Sequence, residues 1–512
     1  MKIILLPLLI AFILVACKTP SDNAIEIKGH VNNSERHYIT LNYAPKLRGN
    51  LNFDGFESVG SHIDSKGNFN LHSDKITDGA SYTLEFDNKG ISLILFAGDN
   101  VELDFDVKKL DNSIIATGIG AGKINVLRLK QFDSDSFDWE KYLDIDEFAN
   151  YSDSVISEQI ILLNSIYFKK PDDTRILEAD NKIEIQKIIT DSPLTEKEYK
   201  FLLNRISFQR YWLLNDFLSK QSELKSLASI KIDFDSKAFR YFNIHEYRKL
   251  ENINDWLLAH SLESILQIEY LRKVVEDTID VTYGNWQSLF NNSDYEKWIN
   301  SFLKGHFNDQ VYTKYYADLS AWYMTLGYDY KMYYEKLSTT TGSSKYIKRL
   351  NEFENLLQDG VTNKDYIPKE NNSNLDKSKL ESLLGSYRGK PLFIVFWSAQ
   401  YAGASVINNL PSIKDFEKEN NEKVDIINIC IDKEENKRIW AARIIDNSWK
   451  SKHYFLPMEG NDSILNRFSN KNISSFCDGG ATYAFINKKG VVDSPIEFPF
   501  HLSTKEIEKV IE

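Results

Sequence analysis

Cysteine is scarce in this chain of 512 residues, which contains three cysteines, at positions 17, 430 and 477. No cysteine lies between Cys17 and Cys430, and no two cysteines are close in the sequence. Cys430 and Cys477 could form a disulfide if the protein is exported, because oxidising compartments permit such bonds. Their spacing does not require that pairing.

Several other features are missing. After residue 16 no apolar stretch is long enough to span a membrane, and no cluster of Lys and Arg is present. The formal net charge of −12 disfavours binding to phosphate backbones, so we expect no nucleic-acid partner. The nine histidines lack metal-binding spacings such as His-Glu-x-x-His, and no Gly-x-Ser-x-Gly motif occurs. We therefore expect neither a metal nor a cofactor.

The composition indicates buried cores, since 42% of the residues are apolar and 13% are aromatic. Removal of residues 1–16 would leave 512 − 16 = 496 residues, enough for three domains of ordinary size. This length and composition argue against a disordered chain.

The first residues predict export and lipid attachment. Residues 3–16 form an apolar run of 14 residues, too short for a membrane-spanning helix but typical of a secretory signal. The run ends Leu14-Val15-Ala16-Cys17, which resembles the lipobox of bacterial lipoproteins. We interpret 1–16 as a signal peptide, Cys17 as the acylated residue and 17–23 as a tether; the alternative is an ordinary signal peptide. Lys18 favours the outer membrane over the inner membrane. Either the periplasmic face or the cell-surface face of that membrane fits the sequence.

Residues 24–130 alternate between apolar and polar side chains, as in Val101-Glu102-Leu103-Asp104-Phe105, with glycine-containing turns between the runs. This pattern predicts an antiparallel β-sandwich. Residues 131–360 predict a helical spacer, and its clearest helix begins at a capping box formed by Thr195 and Glu198.

Nine aromatic residues lie between positions 312 and 334 of this predicted spacer. They fit either a carbohydrate-stacking surface or, as we favour, packing between helices. Residues 361–379 are polar and rich in Asn and Lys, which is typical of a linker.

Residues 380–512 predict an α/β domain with strands at 392–397, 424–432, 481–487 and 491–492. The first of these is continuously apolar, as a buried parallel strand requires. The motifs Phe396-Trp397-Ser398 and Ile429-Cys430-Ile431-Asp432 resemble the thioredoxin superfamily, in particular the TlpA-like lipoproteins of Bacteroidetes, which also carry an N-terminal β-domain. The resemblance implies a thioredoxin-like fold and thiol-disulfide exchange.

The reactive positions of that family are changed in this sequence. Direct counting places Tyr401 and Ala404 where the family has its Cys-x-x-Cys, and Ala481 where it has a cis-proline. Neither Tyr401 nor Ala404 supplies the thiolate that disulfide exchange needs. The resemblance also indicates a substrate groove, for which the candidate residues are Trp397, Gln400, Tyr401 and Thr482.

Three functional hypotheses follow. The favoured one is an envelope lipoprotein whose redox-inactive thioredoxin-like domain binds or scaffolds an envelope protein. The second is a thiol-disulfide oxidoreductase that uses Cys477, with or without Cys430. Asp478 beside Cys477 would disfavour its thiolate, so we expect that cysteine to be inert. The third is a glycan- or peptide-binding accessory protein. The ligand is not specified by the sequence.

Overall fold

The chain consists of N-terminal sheets, a helical middle part and a C-terminal mixed sheet. The computed structural model describes residues 24–34, 37–43, 51, 53, 56–86, 89–129, 144–169, 179–224, 228–241, 244–251, 253–277, 279–290, 293–360, 374–387, 389–400, 406–407, 409–458, 482–490 and 492–493. No helix among these residues is long and apolar enough to cross a membrane.

The N-terminal part is built from short strands whose side chains alternate between core and solvent. In the strand Asn100–Asp106, for example, Val101, Leu103 and Phe105 are buried while the residues between them are exposed. The strands are β1 (Ile25–Asn32), β2 (Tyr38–Tyr43), β3 (Val59–His62), β4 (Asn68–Ser73), β5 (Ala80–Phe86), β6 (Lys89–Leu95), β7 (Asn100–Asp106) and β8 (Ile115–Ile119).

These strands form two four-stranded sheets, in the orders β4-β1-β7-β8 and β3-β2-β5-β6. A shared hydrophobic cluster, which includes Ile27, Leu41 and Leu103, lies between them. The prediction of a purely antiparallel sandwich is wrong in one respect, because β1 and β7 pair in parallel. Parallel neighbours need a long connection, and here the segment that contains β2 to β6 supplies it.

The middle part is helical, as the sequence predicted. Its longest helix begins at the predicted capping box, in which Thr195 Oγ1 accepts from the Glu198 amide at 3.2 Å. The helices from the end of β7 to position 360 are α1 (Leu110–Ser113), α2 (Ala121–Leu129), α3 (Ile145–Tyr167), α4 (Ala179–Asp191), α5 (Glu196–Glu223), α6 (Ile244–Tyr247), α7 (Trp256–Glu276), α8 (Ser293–His306), α9 (Asp309–Leu326), α10 (Lys331–Ser338) and α11 (Ser344–Gly360).

The C-terminal part is a mixed sheet in the order β11-β10-β9-β12-β13. Strands β9, β10 and β11 are parallel, whereas β12 is antiparallel to β9 and β13 is antiparallel to β12. The elements are α12 (Lys377–Ser386), β9 (Leu392–Trp397), α13 (Leu410–Asn420), β10 (Asp425–Asp432), α14 (Lys437–Asp446), β11 (His453–Pro457), β12 (Thr482–Ile486) and β13 (Val492–Asp493).

Two details of this part differ from the sequence prediction. Strand β11 was not predicted, although it is a short apolar run. Helix α12 begins at Lys377, inside the predicted linker of 361–379, and its first turn is capped by Asp376, which accepts from the Lys379 amide at 2.8 Å. Residues 361–373 lie outside the described residues.

The helical part and the C-terminal sheet share one hydrophobic cluster. It joins helical residues such as Leu350 to Phe393 and Val395 of β9. Polar contacts cross the same boundary, since Arg438 Nε of α14 donates to the Met324 carbonyl of α9 at 2.8 Å. The helical part therefore packs against α14 of the C-terminal part and shares a hydrophobic core with it.

Candidate functional site

The candidate site lies at the carboxyl ends of β9 and β10, neighbouring parallel strands that end at the same edge of the sheet. Strand β9 ends at Trp397 and leads into Ser398, Ala399 and Gln400, while β10 ends at Asp432. Ligands of open α/β sheets bind at such edges, and the family resemblance places its reactive motif directly after β9. The Tyr401 and Ala404 positions of that motif lie outside the described residues.

Asp432 organises this edge from a fully buried position. Its Oδ2 accepts a hydrogen bond from Ser398 Oγ at 2.8 Å and another from the Gln400 amide at 3.1 Å. Its Oδ1 accepts from the Lys433 amide at 2.9 Å and from Asn436 Nδ2 at 2.6 Å. Both carboxylate oxygens are thus engaged by neutral donors, an arrangement that satisfies a buried charge and leaves Asp432 poorly placed to act as a general base.

Gln400 is the exposed member of this group. Its backbone amide is held by Asp432, and its side-chain oxygen accepts from Asn436 Nδ2 at 2.8 Å. We call the set Ser398, Gln400, Asp432 and Asn436 the edge network. Through these bonds a buried carboxylate fixes a side chain that faces solvent, which is suited to presenting a binding surface rather than to chemistry.

Of the candidate groove residues, Trp397 lies with its side chain in the core. Because side chains alternate along a strand, Trp397 shares a face of β9 with Phe393 and Val395. That face is covered by the cluster which the C-terminal helices share with the middle part, and Trp397 is fully buried there. Its ring packs against Trp449 with centroids 5.5 Å apart.

Cys430 lies directly behind the edge network, opposite Trp397 in the β9–β10 pairing, and is fully buried. Burial raises the pKa of the Cys430 thiol well above its ordinary value, and the charge of Asp432 raises this pKa further. A hydrogen bond with the Ala399 backbone acts in the opposite direction and is weaker. Cys430 is therefore a protonated core residue at neutral pH, unsuited to nucleophilic attack.

The other predicted residues are only partly placed. Thr482 begins β12 and pairs with Phe396 of β9, so its backbone reaches the carboxyl end of β9. Ala481, Cys477 and the predicted lipid-bearing Cys17 lie outside the described residues. Sequence reasoning missed the roles of Asp432 and Asn436. A usable clue was present, since Asp432 ends an otherwise apolar strand, where a carboxylate needs hydrogen-bond donors.

The aromatic residues between 312 and 334 mostly pack in the core, as we favoured. Tyr312, Tyr315, Tyr316 and Tyr333 are all buried. Tyr316 and Tyr333 stack at 6.4 Å, and Tyr328 is an exposed exception. Within the described residues, no cluster of three His, Cys, Asp or Glu side chains could hold a metal ion.

No family model matches the chain, and no curated protein matches its sequence. Among solved structures, it is similar to a proposed thiol-disulfide oxidoreductase from Bacteroides vulgatus, determined in solution. The two are 16% identical, and the similarity covers 25% of this chain and 75% of that protein with a TM-score of 0.19.

Proposed function

We propose that this chain is an envelope lipoprotein whose C-terminal, thioredoxin-like domain has no redox activity and binds or scaffolds another envelope protein. The edge network is the observation that carries this proposal. Next to the end of β9, after which the resemblance puts a reactive dithiol, the described residues include a buried carboxylate that accepts four hydrogen bonds from neutral donors.

The sequence supports the loss of redox chemistry independently of the fold. Disulfide exchange needs an attacking thiolate and a second group that releases the product. No cysteine lies between Cys17 and Cys430, so the family's helix-end positions cannot supply either group. Cys430 is buried with a raised thiol pKa, which leaves Cys477 as the remaining internal cysteine to be tested.

Turnover by the purified full-length protein tests the proposal. We expect no catalytic reduction of insulin with dithiothreitol as the electron donor, while an active thioredoxin assayed in parallel gives turnover. The variants Cys430→Ser and Cys477→Ser should give the same result as the unmodified protein. Turnover that disappears in Cys477→Ser would overturn the proposal in favour of an oxidoreductase.

The lipid anchor forms a separate part of the proposal and rests on Leu14-Val15-Ala16-Cys17. In cells that receive labelled palmitate, the protein should carry label and partition into detergent. Cys17→Ser should lose both properties, whereas Cys477→Ser should keep them. Labelling of Cys17→Ser at the level of the unmodified protein would show that Cys17 is not the acylated residue.

A further inference from the structure

A cavity of about 140 Å³ lies where the N-terminal sheets meet the helical part. Its walls come from β6, α2, α3, α5 and the start of α7, and none of its described lining residues belongs to the C-terminal sheet. The cavity is therefore separate from the edge network. Junctions between structural units are common places for small-molecule sites.

Two tryptophans form one corner of this cavity. Trp212 of α5 and Trp256 of α7 have ring centroids 5.5 Å apart and planes inclined at 67°. Trp256 is 36% exposed, a large accessible fraction for an indole. An indole face carries negative electrostatic potential and attracts the weakly positive C–H groups of a partner ring.

Asp255 holds this corner in place. It is fully buried, caps α7 by accepting from the Leu258 amide at 3.1 Å, and accepts from Ser81 Oγ of β5 at 2.5 Å. Ser81 Oγ in turn accepts from the Trp256 amide at 3.1 Å. Two hydrogen bonds thus fix the start of α7 to β5 and a third caps the helix, so Trp256 is held in position before any ligand arrives.

Asp255 also balances the charge of Arg205, the one charged side chain among the described residues that line the cavity. Arg205 Nε donates to Asp255 Oδ1 at 3.0 Å, which pairs the guanidinium with a buried negative charge. An anionic ligand would have to compete with Asp255 for Arg205. The charge balance therefore favours a neutral ligand.

The remaining polar wall suits hydroxyl groups. Gln159 and Gln209 line the cavity, and both residues are buried. An amide carries donors and acceptors together, as a hydroxyl does, so each can match several orientations of a polyol. Ser92 adds a hydroxyl residue at the solvent-facing side of β6.

We propose that this cavity binds one ring of a neutral saccharide, with a C–H face of the ring on Trp256 or Trp212 and its hydroxyl groups on the two glutamines. The volume is below the ~300 Å³ typical of sites for drug-sized ligands, which fits a single ring and not an extended peptide. The proposal is independent of the proposed C-terminal function, because no residue is shared.

Calorimetric titration of the full-length protein tests this site. The probes are glucose, galactose and N-acetylglucosamine, with gluconate as an anionic comparison and N-acetylalanine methylamide as a peptide comparison. At least one neutral sugar should bind saturably with a Kd on the order of 1 mM, as a small ligand in a partly open site allows. Saturable binding of gluconate or the peptide analogue alone, or of no probe at all, would overturn the proposal.

Two variants locate the binding. Trp256→Ala should raise the Kd at least about tenfold, because it removes the exposed ring. Ser92→Trp changes an exposed strand position and should block the cavity without disturbing the core. Tyr328→Ala, at a 62% exposed tyrosine outside the cavity, is the matched control and should keep the Kd unchanged. Sugar binding that survives in both Trp256→Ala and Ser92→Trp would also overturn the proposal.

Discussion

Buried carboxylates in two regions of this molecule have different kinds of partner. At the junction between the N-terminal sheets and the helical part, Lys123 Nζ contacts Asp99 at 2.7 Å and Glu198 at 3.0 Å, with all three side chains buried. At the edge of the C-terminal sheet, Asp432 receives four hydrogen bonds from neutral donors.

The difference reflects what each carboxylate holds together. The Lys123 cluster connects the turn before β7, helix α2 and the first turn of α5, so one cation joins elements that are distant in sequence. Asp432 instead secures the backbone that follows β9 and β10, which requires directional donors more than charge. Burial raises the pKa of Asp99 although Lys123 lowers it, so desolvation is not fully offset even beside a cation.

The largest expected effect comes from breaking the charged cluster. Lys123→Met keeps an apolar stem of similar length but leaves Asp99 and Glu198 as buried carboxylates without their cation. Loss of one partner of a buried ion pair costs about 3–5 kcal/mol, and we expect a decrease of about 4 kcal/mol in the free energy of unfolding. Urea denaturation followed by circular dichroism measures it.

Lys200→Met is the matched control for this substitution. Lys200 pairs with Glu196 at 2.6 Å on the same helix, but both side chains are largely exposed. Such surface pairs contribute about 0–1 kcal/mol. If Lys123→Met destabilised the protein no more than Lys200→Met does, the cluster would not stabilise the junction between the two parts.

A smaller and more local effect is expected from Asp432→Asn. The amide keeps the shape of the carboxylate but removes the charge and turns one acceptor into a donor that faces other donors. Hydrogen bonds to charged groups contribute about 1.5–3 kcal/mol each, and partial rearrangement should limit the loss in unfolding free energy to about 2–3 kcal/mol. Hydrogen exchange at the Gln400 and Lys433 amides should accelerate, which site-resolved exchange would measure.

The neighbouring exposed carboxylate provides the comparison for that change. Glu435→Gln should alter the unfolding free energy by less than about 0.5 kcal/mol, as surface substitutions usually do. Unchanged exchange at Gln400 in Asp432→Asn would mean that the edge network does not hold the backbone after β9.

The smallest expected effect is a pH dependence at Glu417 of α13, a partly buried carboxylate that accepts from Ser451 Oγ at 2.5 Å. Burial raises the pKa of Glu417 from 4.5 to about 7. The folded protein therefore holds this proton more tightly than the unfolded chain. The contribution to stability is fully present below pH 4.5 and is lost as the pH rises through about 7.

The shift of the Glu417 pKa corresponds to about 3 kcal/mol, and solvent screening of this partly buried group reduces the effect. Glu417→Gln should therefore gain about 2 kcal/mol of unfolding free energy over the unmodified protein on going from pH 4.5 to pH 8. Chemical denaturation across this pH range measures the difference in unfolding free energy between the variant and the unmodified protein. The contributions of the other titrating groups cancel in that difference. Glu422→Gln changes an exposed position just beyond the same helix, and its unfolding free energy should depend on pH as that of the unmodified protein does. The same pH dependence for Glu417→Gln would show that Glu417 titrates equally in the folded and unfolded states.

Local features of the fold could be predicted from the sequence because their causes are local. The capping box of Thr195 and Glu198 appears at the predicted place, since its partners are three residues apart. The alternation in β7 and the continuous apolar run of β9 likewise predicted strands. The parallel pairing of β1 with β7 could not be predicted in this way, because it depends on how distant strands associate.

At the candidate site, too, local features could be predicted from the sequence and contacts between distant residues could not. Absence of a cysteine pair after β9 is a property of the sequence, so the sequence alone excludes the dithiol chemistry of the family at those positions. The sequence indicates a groove position for Trp397, yet the exposure of its side chain depends on which face of the sheet the helices cover. The role of Asp432 depends on donors 32 to 34 residues earlier in the chain.

By itself, then, the sequence determined the order of the β, helical and α/β parts, the caps that begin helices and the missing dithiol, because these follow from composition and near-neighbour spacing. Only the tertiary structure decided that Lys123 joins α2 to α5, that the helical part shares a core with the C-terminal sheet, and that Trp212 and Trp256 meet at a cavity. Each of these contacts brings together residues far apart in the chain, and burial sets its strength.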